Sequence, residues 1–102
     1  IGAAELEAMK PTAWLINTAR GEIVDQEALR GALVSGSIAG AGLDVTTPEP
    51  LPPEDPLLGA PNLVVLPHIG SASHRTREAM ARLAAENLIA ALAGEAMPNP
   101  VV

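Results

Sequence analysis

Three short apolar runs, at residues 13–17, 38–45 and 63–66, alternate with stretches of helical periodicity, and no other feature limits the possible folds as tightly. The run 13–17 is nearly all apolar, which reads as a strand buried on both faces of a parallel sheet. Before it, Leu6 and Met9 share one face of a helix end over residues 3–10, stopped by Pro11. Between the first two runs, Asp25 is placed to cap a helix and Glu27 favours its dipole. Leu29 and Leu33 form that helix's buried face, and Gly36 ends it. Gly40, Ala41 and Gly42 leave the second strand open to close backbone approach. A last helix over residues 73–93, ending at Gly94, carries Met80, Leu83, Leu88 and Leu92 at roughly helical period. The order helix, strand, helix, strand, loop, strand, helix predicts an α/β fold, with a parallel sheet, right-handed crossovers and flanking helices. Three strands with uneven helix cover make an incomplete sheet, so further strands are expected from residues outside this chain. The start at Ile1 rather than Met points the same way.

The chain has 102 residues, enough for one small domain. Trp14 is its only aromatic residue, so the core must be built from aliphatic side chains. Twelve acids against six bases give a net charge of −6, a poor match for nucleic acid or an anionic membrane. Without cysteine there is neither disulfide nor thiolate metal site, and a cytoplasmic enzyme fits. No apolar run approaches the roughly 18 residues of a membrane span. His68 and His74 lack a third convincing ligand, so no metal site is expected.

The chemistry-bearing residues fall at the ends of the apolar runs, where open α/β sheets bind ligands. Arg20 follows the first run, with Gly21 behind it permitting a tight turn. Its guanidinium either caps strand-end carbonyls or grips a carboxylate through two parallel hydrogen bonds. Asp44 ends the second run, as a cap or turn acid or as a carboxylate facing a ligand. Six prolines within residues 48–61 stiffen the following loop, and Glu49 lies between two of them. His68 ends the third run, followed by Gly70 and Ser71. A histidine there either packs structurally or donates a proton near neutral pH, and a carboxylate such as Glu49 beside it would orient the ring and favour the imidazolium. His74, Arg75 and Arg77 open the last helix against its dipole, which an ion pair elsewhere would offset. Gly40-Ala41-Gly42 lies inside a strand rather than after one, so it is not a dinucleotide fingerprint.

Taken together, Asn17-Thr18-Ala19-Arg20-Gly21, Val24-Asp25, Ala28-Leu29, Ala41-Gly42-Leu43-Asp44-Val45, Glu49-Pro50-Leu51-Pro52 and Pro67-His68-Ile69-Gly70-Ser71-Ala72 resemble the C-terminal signatures of D-2-hydroxyacid dehydrogenases. Within that family, residues 44–52 and 68–77 are most similar to glyoxylate/hydroxypyruvate reductases. The resemblance implies the later part of a Rossmann-like domain. Residues 1–72 would be its C-terminal half, and residues 73–102 a helix and tail returning to a substrate domain that the chain lacks. It implies hydride transfer between NAD or NADP and a small 2-keto or 2-hydroxy acid. Arg20 would bind the substrate carboxylate, His68 would be the general acid and Glu49 its partner. Thr18, Ala19, Asp44 and Gly70 would lie around the cofactor, and Ser71 would touch substrate. A homodimer of the full-length protein is implied as well, and the chain alone is expected to be inactive because it lacks the glycine-rich phosphate loop. The alternative is a corepressor-like protein of the same fold that binds the dinucleotide without turning over substrate.

Overall fold

The computed structural model describes residues 1–101. The chain divides into two compact units, Ile1–Gly70 and a second beginning at Ser71. In the first, helix α1 (Ala3–Glu7) leads to strand β1 (Trp14–Asn17), helix α2 (Gln26–Ser35), strand β2 (Gly40–Leu43) and strand β3 (Leu63–Val65). Short 3-10 turns at Gly21–Ile23 and Pro56–Gly59 interrupt the connections. Neither turn shows an apolar period long enough to be legible beforehand.

All three strands are parallel, in the order β1-β2-β3, with Trp14 opposite Gly40 and Ala41 opposite Leu63. The parallel sheet expected from the alternation is therefore present. Its strands are shorter than the apolar runs. Ile38 and Val45 lie outside β2 yet are buried, because apolarity marks burial and not ladder pairing. One expectation is overturned. β1 is not buried on both faces: Leu15 and Asn17 are buried, while Trp14 and Ile16 are exposed. The reason is helix cover. Leu6 of α1, with Leu29 and Leu33 of α2, packs with Leu15, Ala41 and Leu43 in one core on a single side of the sheet. On the other side, Trp14 and Ile16 lie over glycines. A Cβ on Gly40 would stand 2.6 Å from the indole, and one on Gly42 would stand 3.0 Å from Ile16. The close approach expected at these glycines is made by side chains of the neighbouring strand.

Helix α2 begins as expected. The Asp25 carboxylate accepts from the Glu27 and Ala28 amides, each at 3.0 Å, and Gly36 closes the helix at φ 73°. Leu29 is fully buried, which contributes about 1.5–3 kcal/mol. In the second unit, helix α3 (His74–Ala93) is capped by Ser73, whose hydroxyl accepts from the Thr76 amide at 3.1 Å, and ends at Gly94 in the left-handed region. Met80, Leu83, Leu88 and Leu92 are exposed along it. The Asn87 carboxamide accepts from the Asn99 amide at 2.9 Å and folds the tail back on the helix.

Candidate active site

Because the strands are parallel, the loops that leave β1, β2 and β3 emerge at one edge of the sheet. The first loop is strapped down by Asn17. This side chain is buried, accepts from the Ala19 amide at 3.1 Å and donates to the Arg20 carbonyl at 2.8 Å. The backbone under Thr18, Ala19 and Arg20 is thereby fixed. Arg20 itself is exposed. It donates from Nη1 to the Ala19 carbonyl at 2.6 Å and forms no ion pair among the described residues. That contact uses one of five donors and leaves the rest of the fork free.

Gly21 follows in the 3-10 turn and is buried. The sequence reading gave it the task of a tight turn. Its actual constraint is space: a Cβ there would stand 2.2 Å from the Thr46 carbonyl oxygen. The Arg20 loop and the loop leaving β2 are in direct backbone contact at this point.

Asp44 is neither a helix cap nor a simple turn acid. It is 5% exposed, and its two carboxylate oxygens accept from the Ile69 and Gly70 amides, each at 2.7 Å. It clamps the loop leaving β3 to the loop leaving β2. A Cβ on Gly70 would lie 2.8 Å from the Asp44 carboxylate, so glycine is what lets the clamp close. The clamped loop holds His68 at φ 55°, a left-handed conformation that costs a non-glycine residue about 1–2 kcal/mol. Two charge-assisted bonds immediately after it, each worth about 1.5–3 kcal/mol, are sufficient to hold that geometry.

His68 Nδ1 stands 2.5 Å from Glu49 Oε1. The pair expected from the sequence is therefore formed, although the two residues are nineteen positions apart. The side chains are 43% and 41% exposed, so the pair is open to solvent and to a ligand. With Nδ1–H donating to the carboxylate, Nε2 remains as the ring's free nitrogen. Thr46, buried beside them, donates from its hydroxyl to the Pro48 carbonyl at 2.9 Å and braces the Glu49 loop. Both members of the pair line a cleft of about 480 Å³ walled by Pro50, Leu51, Leu58 and Leu66 and closed at one side by Asp44. A second, almost wholly apolar hollow of about 300 Å³ lies on the open sheet face between Trp14, Ile16, Thr18 and Val64. Asp44 and Leu66 border both. Ser71 opens the second unit, half-buried. Among the described residues no three metal-ligating side chains lie together.

Thr46 was missed by sequence reasoning. Asn17 was quoted only as part of the family signature, yet it left a further trace, a polar residue two positions after Leu15 and so on its strand face.

Residues 1–70 match the family described as D-isomer specific 2-hydroxyacid dehydrogenase, NAD binding domain. The chain belongs to that family. Over 93 residues it is 62% identical to a Mus musculus glyoxylate reductase/hydroxypyruvate reductase, covering 91% of this chain and 28% of the mouse protein. Over 101 residues it is 59% identical to glyoxylate/hydroxypyruvate reductase B of Pectobacterium carotovorum, covering 99% and 32%. Among solved structures it is similar to an NADPH-dependent glyoxylate/hydroxypyruvate reductase from Sinorhizobium meliloti in complex with NADP and malonate. There the TM-score is 0.91 at 47% identity, over 100% of this chain and 32% of that one. The chain thus spans about a third of the length of these relatives. The fold is that of their Rossmann-like domain, here three parallel strands with flanking helices.

Proposed function

We propose that this chain is the catalytic part of an NAD(P)H-dependent reductase of small 2-keto acids such as glyoxylate or hydroxypyruvate. The observation that carries the reading is the Glu49–His68 pair, held at the carboxyl edge of a parallel sheet, the edge at which the Arg20 loop also emerges. The residues present fit the nicotinamide end of such a cofactor. The hollow on the open face offers an apolar wall, Thr18 and Asp44 line it, and Asp44 and Leu66 join it to the neighbouring cleft. Thr18, Ala19, Asp44 and Gly70 would hold that end, in part through main chain. When bound, the cofactor supplies a hydride to the carbonyl carbon.

The protein's own residues do the rest. Arg20 grips the substrate carboxylate through two parallel hydrogen bonds and polarises the adjacent carbonyl. His68 gives a proton from Nε2 to the carbonyl oxygen, so that carbon receives hydride, oxygen receives a proton and the product is the 2-hydroxy acid. Glu49 holds Nδ1–H and fixes which nitrogen faces the substrate. Asp44 keeps the His68 loop in place, and Ser71 touches the substrate. Residues 1–72 act as the second half of the dinucleotide domain, and residues 73–102 return toward the substrate domain. We further assign the protein to the cytoplasm, which a chain without cysteine fits, and to a homodimer, as the family resemblance implies. No described helix is long and apolar enough to cross a membrane. The reductase reading is preferred to the corepressor-like one because the relatives described above carry reductase names.

The test is His68→Gln in the full-length enzyme, followed by loss of reduced-nicotinamide absorbance with hydroxypyruvate. General acid catalysis contributes roughly 10²–10⁴-fold, so turnover is expected to fall by that factor while cofactor binding persists. Turnover near that of the parent would overturn the assignment.

A further inference from the structure

The loop that carries Glu49 is exposed from Thr47 to Pro50, yet its carboxylate must meet His68 at a fixed place. Stiffness from proline restricts the chain's shape but does not anchor it to the rest of the molecule. The anchor comes from the first residue of α2. Gln26 donates from Nε2 to the Thr47 carbonyl at 2.7 Å and accepts at Oε1 from the Thr47 amide at 2.8 Å. A primary carboxamide paired with both polar groups of one residue copies a step of a β-ladder and fixes that residue's orientation as well as its position. Thr47 lies two residues before Glu49, with Pro48 between them, so little freedom remains in the intervening chain. The base of the anchor is rigid. Asp25 caps α2 one residue earlier, and Leu29 fixes the helix in the core.

We propose that Gln26 is a positioning residue for the reaction, acting through Thr47 on Glu49 and hence on the His68 ring. The proposal rests on the reductase reading above. Gln26 touches neither member of the pair, and nothing in its type or spacing marks it as part of the site. Its side chain is the one polar group on α2 that bonds to the Glu49 loop among the described residues.

The experiment is a double-mutant cycle in the full-length enzyme: Gln26→Leu, Glu49→Ala and the pair. It reads kcat, KM for hydroxypyruvate, KM for the cofactor, and the thermal midpoint. Loss of the anchor lets Glu49 drift, and misplacement of a catalytic group by 1 Å costs up to about a hundredfold. Gln26→Leu is therefore expected to lower kcat by roughly tenfold with both KM values within about twofold of the parent. In the Glu49→Ala background the same change is expected to lower kcat no further, because the group it positions is gone. A merely structural role would act equally in both backgrounds. Unchanged kcat in Gln26→Leu, or an equal fall in both backgrounds, overturns the proposal while leaving Glu49's role intact. A Glu49→Ala enzyme with parental kcat overturns both. Gln26→Ala, which cannot overpack, repeats the cycle should the leucine variant not fold.

Discussion

Replacing Gly21 by alanine adds one methyl group at the point where two site loops touch, and the structure says what that methyl would meet. It would lie 2.2 Å from the Thr46 carbonyl oxygen, 2.3 Å from the Thr46 carbonyl carbon and 2.4 Å from the Thr47 hydroxyl. Two of the three are main-chain atoms, so no rotamer change relieves the clash. Ordinary contact requires the backbones to part by roughly 1 Å. Overpacking of this kind costs about 1–3 kcal/mol of stability. The kinetic effect is expected to be larger. The segment forced away from Arg20 is the one that leads to Glu49, and an error of 1 Å in a catalytic constellation costs on the order of a hundredfold. The assay pairs thermal unfolding of the full-length Gly21→Ala enzyme with kcat/KM for hydroxypyruvate at saturating cofactor. A midpoint and a kcat/KM both equal to the parent's would refute the reasoning, since they would mean that the contact relaxes without moving either loop. A lowered midpoint with parental kinetics would refute the link from Gly21 to the site.

Three further outcomes follow from the same geometry. Arg20→Lys keeps the charge but loses the planar fork, so kcat/KM for a 2-keto acid is expected to fall by an order of magnitude or more; a lysine enzyme matching the parent would mean that Arg20 does not hold the carboxylate. Asp25→Ala removes the acceptor for two α2 amides and is expected to cost about 1 kcal/mol in denaturant unfolding, whereas Asp25→Asn costs less; equal stability of all three forms would show that the cap is idle. The Glu5 carboxyl is held below 4.5 by the hydrogen bond it accepts from the Gly2 amide and then by its own backbone amide. A depressed carboxyl stabilises above its unfolded value and loses that contribution as pH falls through the folded one, so the α1 bond weakens only below about pH 4.5. Carboxyl-carbon chemical shifts of Glu5 against pH check the sign, and a midpoint at or above 4.5 would contradict it.

Much of the fold was legible because periodicity and end signals report local energetics. Asp25, Gly36, Ser73 and Gly94 each satisfy a helix end through bonds within a few residues of themselves, and all four ends fall where the sequence puts them. The faces of the sheet were not legible. Trp14 and Ile16 are as apolar as Leu15, and only the side on which α1 and α2 pack decides which of them is covered. The site divides in the same way. Arg20 and His68 stood out because each follows a strand, and Glu49 because prolines flank it in the next loop; the roles proposed for them come from the family resemblance. Asp44 stood out as well, but its clamp was not legible, since it joins residues twenty-five and twenty-six positions away. Gly21 does open the tight turn expected of it, but its tighter constraint was not legible, because a sequence does not display the approach of a distant carbonyl.

Trp14 has a practical consequence beyond packing. It is the only aromatic side chain in these residues, it is 55% exposed, and it lies against the bare backbone of Gly40 on the open face of the sheet. The ultraviolet emission of the chain therefore comes from one address. An indole in water emits toward the red and shifts to the blue when it is covered, so the emission maximum of this single chromophore is a direct optical gauge of whether anything has settled on that face.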